Sequence, residues 1–116
     1  MPTILVADDN RQLVEMLRAT LEDEGFDVVT AYSGLTAASL VEREHVDLLV
    51  LDVLMPGMSG DAVAELLHQL KPELPVLLMT GDSGDLFAQT TGLPRLHKPF
   101  TQQELVQAVG ELLSTS

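Results

Sequence analysis

The sequence predicts an α/β domain whose parallel sheet is covered by helices on both faces. Three observations carry that prediction. Short apolar runs alternate with amphipathic runs five times along the chain, a pattern that implies right-handed crossovers between parallel strands. The run Leu48-Leu49-Val50-Leu51 is apolar at consecutive positions, as a strand buried on both faces must be. Asp52 then ends it abruptly, and Met55-Pro56-Gly57 turns the chain away at once, because Pro fixes φ and Gly permits positive φ. A carboxylate at the carboxyl end of such a strand stands where an open α/β sheet keeps its chemistry.

The elements follow in order. Thr3 to Ala7 reads as a first buried strand, ending in Asp8-Asp9-Asn10. Asn10 suits the cap of a helix predicted from Arg11 to about Glu24, with Leu13, Val14, Met16, Leu17 and Leu21 as its apolar stripe. Gly25 is its natural stop. Phe26 to Ala31 is a second strand, more alternating and so nearer an edge. Ser33-Gly34 opens a second helix to about Glu44, with Ala37, Ala38, Leu40 and Val41 inward, and the strand ending at Asp52 is third. A third helix is predicted from about Asp61 to Leu70, broken by Lys71-Pro72-Glu73-Leu74-Pro75. Val76 to Thr80 is a fourth strand. The next helix, Asp85 to Thr91 at most, has only Leu86, Phe87 and Ala88 to bury. Pro94 to His97 is a short fifth strand, and Thr101-Gln102-Gln103-Glu104 has the capping-box pattern of a last helix running to about Leu113.

Length and composition narrow the function. At 116 residues the chain is read as one domain, 1–116. Hydrophobic residues make up 46% and charged residues 21%, enough for a real core. The absence of cysteine excludes disulfides, zinc thiolates and a Cys nucleophile, and fits a reducing cytoplasm. No apolar run is long enough to span a membrane. The net charge of −12, with only six Lys plus Arg, argues against direct nucleic-acid binding, which needs a basic face.

Four of the five strands end in a reactive type: Asp8-Asp9, Asp52, Thr80 and Lys98. Singly, each has an ordinary structural role as cap, turn residue or surface charge. Together they share one edge of a parallel sheet. Three carboxylates repel one another, and a hard divalent cation such as Mg²⁺ relieves that. Acids, a cation, an ammonium and a hydroxyl make a phosphoryl site, with one carboxylate as nucleophile.

These residues resemble the receiver domain of two-component response regulators, over essentially the whole chain. The matching pieces are Asp8-Asp9, the segment from Leu51 through Asp52 to Gly60, Met79-Thr80-Gly81, and Lys98-Pro99-Phe100. The resemblance implies a flavodoxin-like (βα)5 three-layer sandwich with strand order 2-1-3-4-5. It implies Asp52 as acceptor of a phosphoryl group from a sensor histidine kinase or phosphotransfer protein. It further implies Mg²⁺ held by Asp9, Asp52 and the backbone carbonyl of Leu54, with Asp8 acting mostly through water. Thr80 and Lys98 then bind the phosphoryl group, the Lys98-Pro99 bond is cis, and output passes to a downstream protein from a cytoplasmic monomer or weak dimer. Such a domain stands alone or forms part of a hybrid kinase or larger regulator.

Three departures from the family pattern are visible. Arg95 stands three residues before Lys98, where the family has an aromatic switch residue. The stretch from Thr80 to Lys98 is about one helical turn shorter than usual, so the fourth helix is expected to be short or irregular. Leu54 and Asp82 flank the site, two residues after Asp52 and Thr80. Two other functions fit poorly. An aspartyl-phosphate hydrolase needs an acid where Leu54 stands. A flavin protein needs a Ser/Thr/Gly-rich phosphate loop and aromatics, and aromatics are 3% of the chain.

Overall fold

Five strands, β1 (Thr3–Ala7), β2 (Asp27–Ala31), β3 (Leu48–Asp52), β4 (Val76–Thr80) and β5 (Arg95–His97), pair in parallel in the order β2-β1-β3-β4-β5. The computed structural model describes residues 2–52, 65, 69, 71–80 and 94–115. Three helices are defined among them: α1 (Arg11–Asp23), α2 (Gly34–Arg43) and α3 (Gln102–Thr115). The expected helix over 61–70 lies almost wholly outside the described residues, although Glu65 and Gln69 are helical. The expected short fourth helix, Leu54 and Asp82 also lie outside them. No described helix is long and apolar enough to cross a membrane.

Strand parity builds two cores on one sheet. Ile4, Val6, Leu48, Val50, Leu77 and Met79 face α1 and α3, meeting Val14, Leu17, Leu21, Leu105 and Val109. Leu5, Ala7, Leu49, Leu51, Val76 and Leu78 face the other way, with Ala37, Ala38 and Val41 of α2. The sheet is therefore the middle of three layers. Every residue of β3 is buried, whereas β2 is only partly covered, as an edge strand should be.

Local chemistry sets the ends. The Asn10 side chain accepts from the Gln12 and Leu13 amides and starts α1. At its other end Gly25 takes φ 94°, the Gly25 amide donates to the Glu22 carbonyl and the Phe26 amide to the Leu21 carbonyl. This paired closure needs a left-handed residue, which glycine adopts without strain. Thr101 and Glu104 form the expected reciprocal cap, each side chain accepting from the other's amide at 3.0 Å. One helical residue departs from the expected stripe. Met16 is 43% exposed, because Val14, Leu17 and Leu21, spaced three and four apart, already define the buried face.

A tie at the amino edge of the sheet holds the register of β1 against β3. The Thr3 amide donates to Asp47 Oδ2 at 2.7 Å, and the Asp47 amide donates to the Thr3 carbonyl at 2.8 Å. The Thr3 amide holds the Asp47 carboxyl below its ordinary range; burial opposes this, and His45, 3.0 Å from Asp47 Oδ1, reinforces it. A slip of one residue here would turn every β1 side chain to the wrong core.

Candidate functional site

Register places the first two acids side by side. Ile4 aligns with Leu48, Val6 with Val50, and Ala7 with Leu51. One step further along each strand stand Asp8 and Asp52, which share the parity of Ile4-Val6 and Leu48-Val50. They occupy the point where the chain, having crossed from β1 to β2, returns to β3. Ligand sites of open α/β sheets form at this switch point.

Both carboxylates are taken almost wholly out of water: Asp8 is 1% and Asp52 5% exposed. Buried charges persist only with partners. Asp8 Oδ1 accepts the Asn10 amide at 2.9 Å, and Asp8 Oδ2 accepts from Lys98 Nζ at 3.1 Å. The same ammonium stands 3.6 Å from Asp52 Oδ1. Lys98 follows β5 and reaches past β4 to do this, with its side chain 30% exposed. The Lys98–Pro99 peptide bond is cis. Asp9, exposed, completes the group: one carboxylate oxygen from each of Asp8, Asp9 and Asp52 lies within 4.8 Å of the others.

Of the residues singled out from sequence, the structure thus brings Asp8, Asp9, Asp52 and Lys98 together. Thr80 closes β4 beside His97 of β5, at the same edge. The Leu54 carbonyl lies outside the described residues. For Arg95 the backbone is in β5, aligned with Leu78. Two residues at this edge were not picked out by sequence reasoning. The Arg11 guanidinium lies over the Tyr32 ring, 4.1 Å from its centroid. The available signal was positional: Arg11 follows the acid pair closely, and the only tyrosine of the chain follows β2 directly.

Among the described side chains, three acids face one ammonium and leave the cluster with an excess of negative charge. An all-oxygen donor set of this kind suits a hard divalent cation, and the residues present fit one.

Comparison with known proteins agrees with this geometry. The response regulator receiver domain family matches residues 4–110. The alkaline phosphatase synthesis transcriptional regulatory protein PhoP of Bacillus subtilis is 36% identical over 118 residues, covering 97% of this chain and 49% of that protein. The transcriptional regulatory protein CpxR of Escherichia coli is 36% identical over 121 residues, covering 100% of this chain and 51% of that protein. This chain therefore spans about half the length of those relatives. A CheY-like response regulator receiver domain protein from Methanospirillum hungatei superposes with a TM-score of 0.92 at 25% identity, over 99% of this chain and 95% of that one. The matched residues run from β1 into α3 and so take in every strand end at this edge, and the chain belongs to the family of response regulator receiver domains.

Proposed function

We propose that this receiver accepts a phosphoryl group on Asp52 from a phosphohistidine of a sensor histidine kinase or phosphotransfer protein. The observation that carries the reading is the environment of Asp52: a carboxylate 5% exposed, within a triad of acids, with one ammonium 3.6 Å away. A structural aspartate needs none of this company.

The chemistry follows from the neighbours. An Asp52 oxygen bonds to phosphorus as the donor's P–N bond breaks, and the electron pair leaves with the imidazole nitrogen, which takes a proton from solvent. Lys98 is held where it meets the added negative charge, and Thr80, at the end of β4, offers a hydroxyl. Mg²⁺ would be held by Asp9, Asp52 and the Leu54 carbonyl, with Asp8 acting mostly through water, and would there neutralise acids that otherwise repel the incoming group. Asp8 is kept in place by the Asn10 amide and Lys98. The domain is a phosphoacceptor, catalysing only its own phosphorylation and dephosphorylation. Its output is a changed affinity for a downstream protein, in the cytoplasm and as a monomer or weak dimer, with no direct contact to nucleic acid.

The test is intact-mass spectrometry after incubation with acetyl phosphate and Mg²⁺. One phosphoryl group is expected on the wild type and none on Asp52→Asn. A shift that survives in Asp52→Asn would place the acceptor elsewhere.

A further inference from the structure

The chain carries 18 acids and a net charge of −12, and three of those acids meet at the site. Phosphoryl donors are themselves anions, so their approach is opposed by the protein's own field. Lys98 is already engaged with Asp8 and Asp52. Arg11 is a second cation at the same edge, on the opposite flank of the acids. It begins α1 immediately after Asn10, whose amide binds Asp8 Oδ1. Tyr32, beneath it, immediately follows Ala31, whose carbonyl accepts the Asp8 amide at 3.2 Å. The pair is thereby tied to Asp8 from both α1 and β2.

Helix formation does not account for an arginine there, since a cation at a helix N-terminus opposes the helix dipole. Nor does ion pairing: among the described residues Arg11 makes no ion pair, whereas Arg18, about two turns further along the same face of α1, bridges Glu15 and Glu22. The guanidinium instead lies 4.1 Å above the ring of Tyr32, which packs partly buried against the α1 core. A cation–π contact of this kind uses none of the N–H donors in a hydrogen bond to a protein acceptor, and a guanidinium can bind an oxyanion through two of them at once.

We propose that Arg11, perched on Tyr32, is a recognition residue for the anionic phosphoryl donor, drawing its phosphate oxygens to the site ahead of transfer. This rests on the reading of Asp52 as acceptor. Arg11 is not a catalytic residue. It acts on how readily the donor arrives, not on the transfer step.

The test compares wild type, Arg11→Ala, Arg11→Lys and Arg43→Ala by the rate of phosphorylation with acetyl phosphate and, in a second arm, with phosphoramidate, whose P–N bond stands for a phosphohistidine. Arg43 is exposed at the last turn of α2, toward the amino edge of the sheet, so its loss changes net charge equally at a distance. Arg11→Ala is expected to lower the rate at subsaturating donor by about three- to tenfold at low salt, through a higher half-saturating concentration with the saturating rate unchanged. The deficit shrinks toward 1 M salt, where screening acts within about 3 Å. Arg11→Lys recovers part of the loss, Arg43→Ala matches wild type, and Mg²⁺ affinity is no weaker in Arg11→Ala. A loss confined to phosphoramidate assigns Arg11 to P–N donors. Equal rates for wild type and Arg11→Ala with both donors, or an equal fall in Arg43→Ala, overturns the proposal. Wild type that gains no phosphoryl group at Asp52 overturns the acceptor reading itself, and this proposal with it.

Discussion

Lys98 is the residue on which the electrostatics of the site turn. Its ammonium is the only described cation within ion-pairing distance of two carboxylates that are 1% and 5% exposed. Exposed ion pairs contribute little, but removing one partner of a buried charge leaves that charge uncompensated. With its own side chain 30% exposed, Lys98 falls between those cases. Lys98→Ala is expected to lower stability by about 1–3 kcal/mol without Mg²⁺, and to raise the thermal-shift response to added Mg²⁺, because the cation then relieves more repulsion. Denaturant titrations with and without Mg²⁺ measure both; a variant as stable as wild type with an unchanged response would contradict this balance. At the residue scale the sequence singled out Asp8, Asp9, Asp52 and Lys98, and the structure brings their side chains together. The pairing of Lys98 with Asp8 was not legible, since 90 residues separate them.

At the scale of elements, the tie between β1 and the start of β3 makes a pH prediction. The Thr3 amide donates to Asp47 and lowers its carboxyl pKa from an ordinary 3.8. A depressed folded-state value means the unfolded chain binds the proton more readily. The stabilisation is therefore complete above the ordinary value and is lost as pH falls below 3.8 through the depressed one. In Asp47→Asn this contribution is absent. The stability difference between wild type and Asp47→Asn, followed by urea melts between neutral and strongly acid pH, is expected to narrow only at the acid end. A gap independent of pH would show that the carboxylate charge plays no part. Sequence periodicity placed this strand and its neighbours to within two residues, because strands buried on both faces must be continuously apolar. It placed Met16 in the buried stripe of α1, since hydrophobicity alone does not say which part of a helix face the sheet covers.

Across the whole molecule, one sheet serves two cores. Leu48 and Leu49 are adjacent and both fully buried, yet they belong to opposite faces. Truncation of either is expected to cost about 2–5 kcal/mol. Both variants are expected to unfold in a single transition, because the shared sheet cannot lose one layer and keep the other. Chemical denaturation of Leu48→Ala and Leu49→Ala, followed by circular dichroism and by tyrosine fluorescence, checks this. Tyr32 packs against the Leu48 core, so separate midpoints for the two probes in Leu49→Ala would reveal two independent layers.

From sequence alone the class of fold, the residue types at the strand ends and the edge they share were already determined. Apolar runs specify buried strands, and a parallel sheet carries all its strand ends to one side. Only the tertiary structure decided which of those ends touch. Strand order brings Asp8 next to Asp52. The reach of Lys98 across β4 balances the pair, and packing at the end of β2 places Tyr32 beneath Arg11. These are relations between residues far apart in the chain. They depend on register and packing, which local sequence patterns do not encode.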